Sequence, residues 1–353
     1  MTFRPDSLEQ LKTAPFDTVI DVRSPSEYAE DHVPGSVNLP VLDDSERARV
    51  GAIYVQKSAF LARKIGAALV ARNAARHIEG PLAERDGGWR PLVYCWRGGQ
   101  RSNSFAAILS QIGWRVAALE GGYQTYRRLV KRTLYDAPFP ARVVLLDGFT
   151  GTAKTDLLHG AARAGAQVID LEGLAEHRGS LFGARGAQPA QKGFESALAE
   201  IVRDLDPGRP VLVEAESSKV GERIVPPSLW AAMRTAPRIT VEAPLAVRAA
   251  YLQGAYADLV RDTGRLDRLL GAMTRLQGRE RVAAWRGLLK EGWMEELAAA
   301  LMEHHYDPRY AKQRSRDAAA QIGVLTAERL DPDEIASLSG RIAEMLEPAR
   351  AGA

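Results

Sequence analysis

Pro91-Leu92-Val93-Tyr94-Cys95-Trp96-Arg97-Gly98-Gly99-Gln100-Arg101-Ser102 is the stretch on which the fold turns. Its first five residues read as a buried strand, and a helical pattern follows from Arg101 to Ile112. Two glycines stand between them, so the predicted unit is strand, tight loop, helix. A cysteine at the C-terminal end of such a strand faces the unpaired N–H groups of the next helix. Those dipoles, with Arg97 and Arg101 nearby, favour the thiolate over the thiol. Gly98 and Gly99 allow backbone amides to curl around a small anion or a bound chalcogen atom. Cys95 is therefore the candidate catalytic residue, with Trp96, Arg97, Gly98, Gly99, Arg101 and Ser102 as its active-site loop. Phosphatases also place a cysteine before a Gly/Arg loop, so the loop alone does not fix the reaction.

The same alternation continues on both sides. Short apolar runs at Asp17–Val22, Val37–Pro40 and Trp114–Leu119 predict further strands. A long helical stretch is expected from about Ser45 to Ala75, and a basic helix from Tyr123 to Leu134. Asp136-Ala137-Pro138-Phe139-Pro140 then interrupts the pattern, and strand–helix alternation restarts at Arg142. Strands are expected at 142–147, 167–170, 210–213 and 238–241, with helices from about Leu245 almost to the end. The prediction is α/β throughout, with one domain over 1–137 and another over 138–353.

Composition narrows the function classes. The 353 residues are 46% hydrophobic and 26% charged, with a net charge of +3 at pH 7. That balance permits a nucleic-acid partner without requiring one. Cys95 is the only cysteine, which excludes an intramolecular disulfide and a cysteine-rich zinc site. The N-terminus has no apolar signal core and no run reaches the length of a membrane span. A cytoplasmic location is expected, and no metal centre.

The second domain opens on Asp147-Gly148-Phe149-Thr150-Gly151-Thr152-Ala153-Lys154-Thr155. A strand before it and a helix after it give the context a Walker A motif requires. Gly148, Gly151, Lys154 and Thr155 are the candidate phosphate-binding residues, with Thr155 able to offer its hydroxyl to Mg²⁺. Ala153 stands where the pattern asks for glycine, which favours anion binding over ATP turnover. Glu214 ends an apolar run in a Walker-B-like place, with Glu216 close behind. Those two carboxylates, with His177 and Arg178, form a candidate second-domain site.

The cysteine loop has further company. Asp21-Val22-Arg23, Glu27-Tyr28, His32 to Pro40, Gly113-Trp114, Leu119 and Gly121-Gly122-Tyr123 together resemble the rhodanese family over most of residues 14–135. In that family the loop cysteine carries transferable sulfur. Here His32 reads as a structural hydrogen-bonding residue, and Asp21 and Arg23 as a buttress near the loop.

A rhodanese-like domain ahead of a P-loop domain, with Tyr94–Gly99, Asp170–Ser180, Phe182-Gly183, Gln188-Pro189, Val213–Ser217 and His305–Tyr310, resembles the tRNA 2-selenouridine synthase family along essentially the whole chain. The resemblance implies an N-terminal rhodanese-like parallel-sheet domain and a P-loop NTPase-like α/β domain with a helical C-terminal part. It implies replacement of the sulfur of a wobble 2-thiouridine by selenium from selenophosphate. Geranyl diphosphate first alkylates the sulfur, which implies tRNA 2-thiouridine geranyltransferase activity as well. Both reagents are expected as co-substrates, with no tightly bound cofactor. A tRNA with wobble 2-thiouridine is the expected partner, and a selenophosphate-producing enzyme another. Cys95 would carry a perselenide, or would assist direct attack by selenophosphate on the activated base. The other reading of the residues is a rhodanese-type sulfur carrier whose P-loop domain acts as a nucleotide-dependent regulator.

For the tRNA, Arg127, Arg128, Lys131 and Arg132 are the first candidates, because i,i+4 spacing puts them on one helix face. Arg309, Lys312, Arg314 and Arg316 come next. Trp96 beside Cys95 offers a stacking platform for an unstacked base. Trp285 and Trp293 fall in an apolar helical pattern, and core packing is expected of both.

Overall fold

A computed structural model of the chain describes residues 1–180, 182–183, 186–314 and 320–347. The chain divides into two compact units. The first contains residues 1–137 together with 189–204, and the second contains 138–188 and 205–353. The break at 137/138 coincides with the proline pair. The return of 189–204 to the first unit was not legible, since this helix lies within the second domain's sequence.

The first unit is built on strands β1 (Thr2–Phe3), β2 (Thr18–Asp21), β3 (Val37–Asn38), β4 (Pro91–Tyr94) and β5 (Ala117–Leu119). They form one parallel sheet in the order β1-β5-β4-β2-β3. β4 lies at its centre with all four residues buried, which is why that run is apolar without alternation. The expected long helix is two. Asp44–Gln56 ends at Lys57, and Ser58 caps Ala59–Glu79 by accepting from the Leu61 N–H at 3.3 Å. The helix Gln100–Ile112 stops at Gly113, whose φ of 111° only glycine adopts readily.

The second unit holds β6 (Val143–Gly148), β7 (Gln167–Ile169), β8 (Val211–Glu214), β9 (Lys219–Val220), β10 (Arg223–Ile224), β11 (Arg238–Glu242) and β12 (Gln321–Thr326). Five of these form a parallel sheet in the order β12-β11-β6-β8-β7, and β9 and β10 pair as a small antiparallel ribbon. β12 corrects the expectation of continuous helix after Leu245. It is an edge strand with Ile322 and Val324 exposed, so its sequence lacks the apolar density of the central strands. Helices from Leu245 to Arg314 supply their own core around Trp285, Leu266 and Leu270. Trp293 is not part of it: Gly292 ends the helix Arg279–Glu291 in a left-handed conformation and leaves Trp293 55% exposed.

Candidate functional site

In the first unit, Cys95 leaves the end of β4 and its sulfur lies at the N-terminus of the helix Gln100–Ile112. Sγ accepts from the Gly99 N–H at 3.3 Å and from the Ser102 hydroxyl at 3.2 Å. These two donors fix the sulfur at the helix terminus. The loop is clamped from below by the Gly121-Gly122 turn. The N–H groups of Tyr123 and Gln124 donate to the carbonyls of Cys95 at 2.8 Å and Trp96 at 3.2 Å. A Cβ on Gly122 would lie 2.2 Å from the Cys95 carbonyl oxygen, and one on Gly98 would lie 2.8 Å from that of Leu119. The two glycine stations, distant in sequence, answer to one close approach of backbones.

Beneath the loop Asp21 and Arg23 form a fully buried ion pair, with the closest approach 2.6 Å. The Arg23 guanidinium also donates to the Asp31 carbonyl at 2.6 Å and sits 3.9 Å from the Tyr123 ring centroid. Tyr123 donates its hydroxyl to the Asp31 carboxylate at 2.6 Å. Burial pushes the Asp31 carboxyl above its usual range against that bond. This is the buttress expected of Asp21 and Arg23. His32 stacks on Tyr28 at 3.8 Å, with Nδ1 2.9 Å from the Tyr28 carbonyl, a structural role.

The arginines around the thiol divide. Arg97 is exposed, whereas Arg101 donates to Glu27 at 3.0 Å, a carboxylate that Arg47 also reaches at 2.9 Å. Trp96 is half-buried, tilted against Tyr123 with centroids 5.2 Å apart, and the Lys192 ammonium is 5.8 Å from its ring. Arg127, Arg128, Lys131 and Arg132 do not present a uniform face. Arg127 pairs with Asp31 at 3.4 Å and closely with Glu195, and it donates to Ser196 at 3.1 Å. Its side chain thus ties the helix Gln191–Asp204 to this unit. Arg128 donates to Thr125 at 2.7 Å and Arg132 to the Asp6 carbonyl at 3.0 Å. Arg128, Lys131 and Arg132 remain exposed.

In the second unit, β6 ends at Gly148 and the helix Lys154–Arg163 begins after the loop. Lys154 Nζ donates to the carbonyls of Gly148 at 2.8 Å and Phe149 at 3.3 Å. Thr155 donates to Glu172 at 3.2 Å. Ala153, the departure from the motif, adopts a left-handed φ of 56°, the conformation for which glycine is preferred at that position. The methyl is buried, so part of the backbone cost is offset by packing.

Carboxyl groups crowd this cleft. Glu214 is buried at the end of β8; one oxygen accepts from the Leu171 N–H at 3.0 Å and the other has no partner among the described residues. Burial, then the nearby carboxylates, push the Glu214 carboxyl well up. Burial and then the Glu172 charge push Glu216 up to about 8. Burial raises Glu172 as well, against Lys154. Among the described residues no cluster of three or more His, Cys, Asp or Glu side chains is placed to hold a metal. Arg178 lines the same cleft, donating to Asp258 at 2.9 Å with its guanidinium 4.6 Å from the Tyr256 ring. His177 is half-buried, and desolvation lowers its pKa.

Two features had no sequence signal. An apolar cavity adjoins the P-loop cleft, walled by Phe182, Leu259, Leu266, Leu297 and Leu301 among others. Thr150, Ser180, Leu252, Tyr256 and Tyr306 border both spaces. Its walls come from residues 150 to 306, so no single stretch announces it. On the other side, Glu216 is shared with a cleft lined by Trp230, Arg234, Arg238, Arg309 and Lys312. Arg309 and Lys312 are thus brought to one basic surface, while Arg316 lies outside the described residues.

Among the described residues, no helix is long and apolar enough to cross a membrane. The rhodanese-like domain profile matches residues 4–129, and the tRNA 2-selenouridine synthase AAA domain profile matches 141–330. A tRNA 2-selenouridine synthase of Cupriavidus necator is 36% identical, over 85% of this chain and 89% of its own. That of Chromohalobacter salexigens is 33% identical over 86% and 91%, and that of Hahella chejuensis 34% over 85% and 86%. Profiles covering both units and identity along nearly the whole chain lead to one assignment: this chain belongs to the tRNA 2-selenouridine synthase family.

Proposed function

We propose that the chain is a tRNA-modifying transferase that exchanges the sulfur of a wobble 2-thiouridine for selenium in two stages. In the first, the thio sulfur attacks C1 of geranyl diphosphate; a C–S bond forms as the C–O bond breaks and diphosphate leaves. In the second, selenium from selenophosphate adds at C2 of the base, the geranylated sulfur departs, and water takes the phosphoryl group as phosphate. An enzyme that makes selenophosphate would supply the donor.

The apolar cavity beside the P-loop carries this reading. A prenyl diphosphate has a polyanionic head and a hydrocarbon tail, and the two adjoining spaces match those two chemistries. A nucleotide would instead bring a polar ribose and base to the apolar space. The loop amides and Lys154 would receive the diphosphate, Lys154 exchanging its two carbonyl acceptors for phosphate oxygens. A Mg²⁺ ion accompanying the diphosphate would meet the Thr155 hydroxyl and the Glu172 carboxylate, hard oxygen donors of the kind it prefers. The basic cleft beyond Glu216 would receive tRNA phosphates. Cys95, with two donors on its sulfur, would carry selenium or assist its delivery.

Mass spectrometry of nucleosides from 2-thiouridine tRNA, incubated with purified protein and each reagent omitted in turn, tests the proposal. Geranylated and then selenated nucleoside are expected in that order. Selenation at full rate without geranyl diphosphate would sink the two-stage route.

A further inference from the structure

From Arg47 to Ile78 the chain carries seven Lys and Arg residues and no Asp or Glu. This segment makes up most of the helical hairpin Asp44–Gln56 and Ala59–Glu79, which contains none of the candidate site residues named above, although Arg47 at its base reaches Glu27 beside the cysteine loop. The base of the hairpin is well anchored. Ala62, Leu69, Val70 and Ala74 are buried, and Asn73 donates to the Val41 carbonyl at 3.1 Å and to Glu46 at 2.8 Å. The tip is different. Tyr54, Val55 and Phe60 are 60%, 84% and 71% exposed, and no residue of the first helix is buried. Lys57, Arg63 and Lys64 stand within four residues of Phe60 in sequence, all exposed and without an ion pair among the described residues.

We propose that this tip docks RNA, its cations on phosphates and Tyr54 or Phe60 stacked on a splayed base. Exposed aromatic rings cost solvation unless a partner covers them, and unpaired cations beside them select a polyanion with π-faces. A membrane-surface helix would need a long continuous apolar face, whereas here the apolar side chains are few and interleaved with Gln56, Lys57 and Ser58. The proposal rests on the reading that the substrate is a tRNA, and extends it to a surface outside both candidate sites.

Anisotropy titrations of labelled bulk tRNA against the full chain test it, with melting curves as a check on folding. Lys57→Glu/Arg63→Glu/Lys64→Glu should weaken binding about tenfold or more at 0.1 M salt. It should also reduce the log–log salt slope by roughly 0.7 to 0.9 per lost contact. Phe60→Ala should weaken binding about fivefold or more and leave the slope in place. Wild-type affinity and slope in both folded variants would overturn the docking surface while leaving the tRNA substrate intact. Failure of the wild-type protein to bind or modify tRNA would instead overturn the function on which the proposal rests. Binding to phosphatidylglycerol vesicles that the triple variant loses, with tRNA affinity unchanged, would assign the tip to a membrane and overturn it too.

Discussion

Asp307 grips Arg248 through two parallel hydrogen bonds of 3.0 and 2.9 Å, and Arg248 in turn donates to the Thr150 carbonyl of the P-loop at 3.1 Å. The same guanidinium lies 5.4 Å from the Phe149 ring. Arg248 comes so close that a Cβ on Gly151 would sit 2.9 Å from its carbonyl oxygen. The His305–Tyr310 segment, far along the chain, therefore sets the shape of the phosphate loop. Tyr310 adds to this, its ring centroid 5.5 Å from Lys154 Nζ.

Asp307→Ala should leave a buried guanidinium without its counter-charge. A loss of about 3 kcal/mol in stability is expected, the lower end for breaking such pairs, because Arg248 keeps its carbonyl acceptors. Denaturant titration would measure it. Pyrophosphate affinity should fall as well, since Arg248, no longer oriented by Asp307, holds the Thr150 carbonyl less firmly. Unchanged affinity would show that the loop holds its shape alone.

Glu216, raised to about 8, makes the cleft sensitive to pH. Its folded pKa lies above its unfolded value, so the folded state binds the extra proton. This contribution to stability is fully present below the ordinary carboxyl range and is lost as pH rises through about 8. Diphosphate binding should weaken over the same interval, because ionisation adds a negative charge to the cleft. Glu216→Gln should bind better than wild type at pH 9 and much alike at pH 6. Calorimetric titrations of pyrophosphate at both values would decide, with parallel profiles for the two proteins counting against the assignment.

Much of the fold was legible because its central strands are short, fully apolar and bounded by turn residues. β4 and β6, each carrying a loop to a helix, stood out on that ground alone. What escaped detection depends on long-range packing. β12 is half-exposed at an edge, and Trp293 falls past a helix stop at Gly292. Arg127 looked like a surface cation because spacing cannot reveal the Asp31 and Glu195 carboxylates brought to it by other elements. The cysteine loop and the P-loop are local in sequence and could be quoted from it. The apolar cavity and Arg248 could not.

Cys95→Ala should abolish 2-selenouridine formation without unfolding the protein, and geranylated tRNA should accumulate. Ser102→Ala removes one of the two donors to the sulfur and should change the rate at which iodoacetamide alkylates Cys95 in the otherwise intact protein. An identical alkylation rate would remove Ser102 from the loop's hold on the sulfur.

Arg127→Glu should unfold the first unit more readily, because Asp31 and Glu195 would then face a like charge in a buried setting. The cost should be about 3 kcal/mol or more. Lys131→Glu, on the exposed side of the same helix, should change stability by less than about 0.5 kcal/mol. Comparable effects of the two substitutions in thermal melts would contradict the paired geometry of Arg127.

The proposed seating of a diphosphate head on the P-loop and a prenyl tail in the apolar cavity can be tested one half at a time. Ala298 borders the apolar cavity and is only half-buried, so a larger side chain there can enter the empty space rather than an occupied core. Ala298→Trp should raise the KM for geranyl diphosphate at least about tenfold, since each CH₂ kept out of the cavity forfeits ~0.8 kcal/mol of burial. Inhibition by inorganic pyrophosphate, which uses only the loop and Lys154, should be unchanged. Lys154→Ala should instead weaken pyrophosphate and geranyl diphosphate alike, while sparing selenation of a tRNA geranylated in advance. If Ala298→Trp weakens pyrophosphate as strongly as the prenyl substrate, the cavity is shaping the loop rather than holding a tail, and the tail must bind elsewhere.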